Sequence, residues 1–136
     1  MDLIQHPPSV VLIPVDGGEL VLVRQSRPGS SSRTLELPSG KLEDGETPHE
    51  AAVRELAEEC GLAAGRLTEL ATFWTAPAYS TELVHVFEAT GLTKADPAEL
   101  DEDEDIELER LPLHHVLAQL DDAASIAALA LWLERS

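Results

Sequence analysis

The apolar positions of this chain repeat in two ways. Residues 10–15 form an unbroken apolar run, and Leu20-Val21-Leu22-Val23 forms a second within residues 19–25. Asp16-Gly17-Gly18 between them is a turn signal, so the two runs predict a β-hairpin. Residues 66–75, 83–89 and 106–111 predict three further strands, the first ended by Pro77 and the second by Thr90-Gly91. Between residues 48 and 60 the spacing becomes helical. Val53, Leu56, Ala57 and Cys60 fall on one side and Glu55, Glu58 and Glu59 on the other. This helix carries its own boundaries: Thr47 as N-cap, Pro48 at the first position, Glu50 to close a capping box, and Gly61 as the left-handed terminator. Residues 113–120 and 123–135 predict two more helices, with His114-His115 opening the first and Ile126, Leu129 and Leu133 on one face of the second. Strands alternating with helices predict an α/β fold, a mixed sheet sandwiched between helices, in a single domain over residues 1–136.

Charge narrows the possible partners. With 9 Lys and Arg against 26 Asp and Glu, the formal charge is −17, and no basic stripe interrupts it. Nucleic-acid binding is therefore not expected. An acidic protein can still hold a pyrophosphate where metal ions and a few arginines invert the local field. The densest acidic run, residues 96–105 (DPAELDEDED), predicts a solvated loop. Cys60, the one cysteine, excludes an internal disulfide and sits on the core side of the first helix. No stretch reaches membrane-spanning length and MDLIQHPPSV lacks a signal-peptide pattern, so no membrane partner and a cytoplasmic location are expected. His49 and His85 are isolated, without zinc-ligand spacing. Trp74 is expected in the core rather than stacked on a base, and Trp132 in the core or a dimer interface.

The glutamate stripe is where chemistry enters. Three like charges at i, i+3 and i+4 cost roughly 0.2–0.5 kcal/mol per pair, which a solvated acidic face tolerates. Arg54, four residues before Glu58, can offset part of this. What raises a second possibility is the approach, Leu35-Glu36-Leu37-Pro38-Ser39-Gly40, a short strand entering a glycine turn that can bring backbone carbonyls to the stripe. Carboxylate and carbonyl oxygens suit a hard cation, Mg²⁺ or Mn²⁺.

Gly40, Glu46, Arg54, Glu55, Leu56, Glu58, Glu59, Gly61 and Leu62 together resemble the Nudix box, G-x5-E-x7-R-E-U-x-E-E-x-G-U, at every fixed position. The resemblance implies an α/β/α sandwich and hydrolysis of a nucleoside diphosphate linked to another moiety, assisted by two to three divalent cations. Outside the box, Val23-Arg24-Gln25 with Arg27, Leu35-Glu36-Leu37-Pro38-Ser39-Gly40-Lys41, the stretch FWTAPAYSTE, and Pro77 fifteen positions past Leu62 are similar to the ADP-ribose pyrophosphatase branch. That branch implies the following roles. The Ser39 carbonyl, Glu55, Glu58 and Glu59 would hold metal, with Glu104 completing a shell. Glu102 would be the general base, Glu82 its rival, and Arg54 would orient the glutamates. Arg27, Glu36 and Arg33 would meet the substrate, ADP-ribose giving AMP and ribose 5-phosphate, while Glu46 and Lys41 would serve structure. Members of the branch usually begin with an additional β segment exchanged between subunits. About nine residues precede the first strand here, and Ala78 and Thr81 replace a glycine and an aspartate. A homodimer and the identity of the substrate therefore stay open. The other readings are nucleoside triphosphates, dinucleoside polyphosphates, NADH or flavin nucleotides as substrates, and a Nudix-fold module that senses a nucleotide without cleaving it.

Overall fold

The computed structural model describes residues 2–100 and 105–135. The predicted hairpin forms: β1 (Ser9–Asp16) and β2 (Glu19–Gln25) meet through Val15–Leu20 and Asp16–Glu19 pairing around Gly17, whose φ is +63°. β3 (Thr34–Glu36) pairs with β2, and β4 (Ser39–Lys41) with the first half of β1, so the chain crosses from one strand to the other at Leu37-Pro38. After α1 (Pro48–Cys60), the long antiparallel pair β5 (Leu62–Trp74) and β6 (Leu83–Lys94) adds to the sheet, with β6 parallel to β1. β7 (Glu107–Pro112) covers the outer edge of β2, and α2 (Ala123–Glu134) closes the chain. The parallel β1–β6 contact makes the sheet mixed.

Both faces of β1 and β2 are covered, which is why they read as continuous apolar runs rather than alternating ones. Val11, Ile13, Leu20 and Leu22 pack with Ala128, Leu129 and Trp132 of α2. Val10, Leu12, Val21 and Val23 pack with Ala51, Ala52, Leu56 and Cys60 of α1. The expected α/β/α sandwich is therefore present, one helix against each face.

Several boundaries differ from expectation. β5 and β6 both extend past their predicted limits because Gly65 and Gly91 face each other across the pair; a Cβ on Gly65 would lie 3.3 Å from the Gly91 carbonyl oxygen. The helix expected over residues 113–120 is absent. The segment is irregular, with a single 3₁₀ turn at Leu117–Gln119, and His115 has φ +72° rather than a helical value. Buried Val116 and Leu120 pin it to the core, while Asp121 bonds the Leu35 amide, leaving no length for a regular helix. α2 also buries a different face: Ser125, Ala128, Leu129 and Trp132 point inward, and Ile126 and Leu133 are exposed. On α1, Val53 is exposed at the edge of the core face, and Trp74 is 56% exposed instead of buried. Trp132 is in the core, where its indole N–H donates to Glu88 at 2.6 Å.

Candidate active site

α1 begins and ends as its sequence predicts. Thr47 and Glu50 form the reciprocal capping box, and Gly61 terminates the helix at φ +66°. The fixed ends set the register of the outer face, and there Arg54 gathers the acidic residues. Its Nε and Nη2 donate to the two Glu46 oxygens at 2.7 and 2.9 Å, Nη1 donates to Glu55 at 2.7 Å and Glu58 at 3.1 Å, and Nη2 also reaches the Lys41 carbonyl at 2.9 Å. All five guanidinium N–H groups are therefore used, and the Glu46 bonds above all hold the guanidinium charged. Glu46 also accepts from the Glu43 amide, which ties the turn before α1 to the helix. These bonds are what Glu46 and Lys41 contribute to the loop–helix junction.

Gly40 on β4 is set directly against Glu55. A Cβ there would fall 2.1 Å from the Glu55 carboxyl carbon, so only glycine leaves room for that carboxylate. Glu59, one turn further along α1, meets the preceding residue of β4 and accepts from the Ser39 amide at 2.8 Å. Burial pushes its carboxyl up to about 8 against the pull of that N–H, and the nearby Glu55 charge adds to the rise. Glu55 is also raised, burial again outweighing Arg54.

Glu59 and Ser39 line a cleft of about 500 Å³. Arg27 and Glu36 form its second wall, with Arg27 Nε and Nη2 each 2.9 Å from a Glu36 oxygen. Burial works to raise Glu36, but Arg27 and a 2.6 Å bond from the Thr34 hydroxyl outweigh it and hold the carboxyl below the usual glutamate range. Glu82 forms a third wall, accepting from the Ser9 hydroxyl at 2.6 Å and the Thr75 hydroxyl at 2.9 Å.

Of the residues singled out in the sequence, Ser39, Glu59, Arg27, Glu36 and Glu82 thus share one cleft, while Glu55, Glu58 and Arg54 form the adjoining cluster on α1. Arg33 lies apart from both. Its guanidinium donates to Asp105 Oδ1 at 2.7 Å and to the Asp105 and Arg24 carbonyls, clamping the end of the acidic run onto the β2–β3 connection. Glu102 and Glu104 lie outside the described residues.

Polar cleft residues to which the sequence assigned no role include His6, Ser9, Gln25, Thr34 and Asp122. Gln25 had a usable signal: Val21 and Val23 face α1, so residue 25 is the next inward position of the strand and a polar side chain there is out of pattern. Asp122, the N-cap of α2, uses one oxygen on the Ser125 amide; its other oxygen is buried and, among the described residues, lacks a partner.

Among the described residues no three His, Cys, Asp or Glu side chains already stand in a metal-holding arrangement. Glu55 and Glu58 are turned to Arg54, and Glu59 to the Ser39 amide. The donor chemistry nevertheless fits a hard divalent cation: every candidate donor is an oxygen, and the space kept open at Gly40 is filled by a carboxylate alone.

A model of the NUDIX domain matches residues 5–133. The chain is 40% identical over 118 residues to an ADP-ribose pyrophosphatase of Bacillus subtilis (strain 168), a match covering 85% of this chain and 64% of that protein. It therefore spans just under two thirds of that relative's length. It is 34% identical over 134 residues to the ADP compounds hydrolase NudE of Escherichia coli (strain K12), covering 93% of this chain and 72% of that protein. The crystal structure of an ADP compounds hydrolase superposes with a TM-score of 0.84 at 32% identity, over 93% of this chain and 71% of the other. With the fixed positions of the box gathered at one loop–helix junction in this sandwich, and the profile spanning nearly its whole length, the chain belongs to the NUDIX domain family.

Proposed function

We propose that the chain hydrolyses the pyrophosphate bond of a nucleoside diphosphate derivative, with ADP-ribose as the first substrate to consider and AMP and ribose 5-phosphate as products. The observation that carries this reading is the convergence of Glu59, Glu82 and the Arg27–Glu36 pair on one cleft beside the loop–helix. Enzymes of the family typically use divalent metals, and bound Mg²⁺ or Mn²⁺, two to three ions, would neutralise the pyrophosphate and activate water. Glu55, Glu58, Glu59 and the Ser39 carbonyl are the groups that would hold them, with Glu104 as a further ligand.

Within the chain's own chemistry, Arg54 orients Glu55 and Glu58 through the N–H groups it donates to both. Arg27, fixed in its plane by Glu36, offers its remaining N–H groups to a phosphate oxygen or to the sugar. The attacking water gives its proton to Glu102 or Glu82 as its oxygen bonds to phosphorus, and the bridging P–O bond breaks toward the leaving phosphate. The remaining nucleotide readings differ only in what fills the cleft beyond the two phosphates.

A panel of ADP-ribose, other nucleoside diphosphate sugars, nucleoside triphosphates, dinucleoside polyphosphates, NADH and flavin nucleotides, with Mg²⁺ or Mn²⁺ and chromatographic resolution of products, tests the proposal. ADP-ribose turnover to AMP and ribose 5-phosphate is the expected result. Faster cleavage of triphosphates would remove the ADP-ribose assignment, and tight binding without cleavage would favour a sensing module.

A further inference from the structure

His6 lies on the segment before β1, yet it is part of the cleft wall. Its backbone clasps the residue next to Glu82. The His6 amide donates to the Thr81 hydroxyl at 2.8 Å, and that hydroxyl is 3.1 Å from the His6 carbonyl, so it can donate back. Ile4 adds main-chain bonds to Tyr79 and Thr81 on either side of an isolated parallel bridge to Ser80. These bonds suffice to anchor the segment, and none of them uses the imidazole. The ring is turned back over Glu82 instead. Nδ1 is 2.6 Å from the Pro7 carbonyl oxygen and 3.6 Å from Glu82 Oε2. Both neighbours are acceptors when Glu82 is ionised, so Nδ1 carries a hydrogen toward them. The longer contact is not a hydrogen bond as it stands, but it lies within reach of one, since catalytic contacts often tighten only when substrate is bound. The same Glu82 oxygen accepts from Ser9, and the other from Thr75. Three polar side chains, His6 and Ser9 from the N-terminal stretch and Thr75 from just after β5, thus converge on one carboxylate at the cleft wall.

We propose that His6 is a positioning residue that acts through Glu82. Its Nδ1–H, shared between the Pro7 carbonyl and Glu82, holds the carboxylate toward the substrate and the attacking water. The proposal rests on the cleft being the site of hydrolysis, and it makes Glu82 a participant in turnover.

The test is a double-mutant cycle on the intact chain with the substrate that the panel identifies. His6→Ala is expected to lower kcat about 10-fold or more with KM changed less than about 3-fold, because the segment keeps its main-chain bonds. His6→Asn, whose side-chain amide can replace the Nδ1 donor, should recover most of the loss. In a Glu82→Gln background, His6→Ala should change kcat less than about 2-fold. Equal losses in both backgrounds, a loss confined to KM, or no recovery by Asn would overturn the proposal. Imidazole ¹⁵N shifts of the wild-type chain supply a readout that needs no turnover: the neutral ring should carry its proton on Nδ1, and an Nε2–H tautomer would refute the geometry. Absence of wild-type hydrolysis together with the Nδ1–H tautomer would instead count against the hydrolase reading.

Discussion

The two long helices flank the same sheet but acquire their positions by different means. α1 has its ends specified within residues 47–61 by a capping box, a first-turn proline and a left-handed glycine. It is polar on one side and apolar on the other, so its orientation follows from burying Ala52, Leu56 and Cys60. α2 is alanine, leucine and isoleucine on nearly every side, and burial alone does not select its inward face. Three polar contacts do: the Ser125 hydroxyl accepts from the Leu37 amide at 2.9 Å, Asp121 accepts from the Leu35 amide at 2.7 Å, and Trp132 donates to Glu88. The first two also satisfy amides of the edge segment at β3, which would otherwise be open to pairing with another chain. α1 thus carries the chemistry on a locally encoded frame. α2 is a cover whose register is set by the strands beneath it.

If that division holds, substitutions on α1's outer face should affect turnover, and those on α2 should affect stability. The largest effect is expected at Glu59. Glu59→Gln should lower kcat about 10³-fold in Mg²⁺, with part recovered in excess Mn²⁺, while the melting temperature stays within a few degrees. A collapse of the fold at undiminished specific activity would erase the contrast.

Gly40→Ala probes the same face from the opposing strand. Its Cβ would displace the Glu55 carboxylate, a flexible group that can move aside without unfolding the chain. A fall in kcat of about 10²-fold with under about 1 kcal/mol lost in urea unfolding is expected.

On α2, Ser125→Ala leaves the buried Leu37 N–H without its acceptor and should cost about 1–3 kcal/mol in denaturant midpoint. Its kcat should stay within about 2-fold at temperatures where the variant is folded. The smallest effect is expected at Leu133, which is 49% exposed: Leu133→Gln should change stability by no more than about 0.5 kcal/mol. A loss above about 2 kcal/mol would return Leu133 to the inward face that simple helical spacing assigns it.

The same contrast accounts for what was legible in the sequence. α1 is found to the residue because its stop signals are short-range chemistry, readable without knowing what the helix packs against. The hairpin of β1 and β2 is legible for the same reason, its turn being glycine-encoded. The segment at residues 113–120 misleads, because its apolar spacing suits a helix while Val116, Leu120 and Asp121 are each held by distant partners. Among site residues, the Arg54 partnership with Glu58 follows from helical spacing, and Glu55 and Glu59 from the box. Arg33 belongs elsewhere than Arg27: both are in one loop, but the first clamps Asp105 and the second faces Glu36. Loop direction decides that, and no periodicity encodes it.

What the sequence alone determined is therefore the loop–helix: its limits, its acidic outer face and its family, all carried by the single stretch of residues 40–62. Tertiary structure decided the rest. It placed Glu82 and His6, more than seventy residues apart, on one wall of the cleft, and it set Gly40 against Glu55. It also chose which side of α2 meets the sheet. Each of these depends on contacts between segments remote in the chain, whose partners are chosen by packing and hydrogen-bond satisfaction rather than by local spacing.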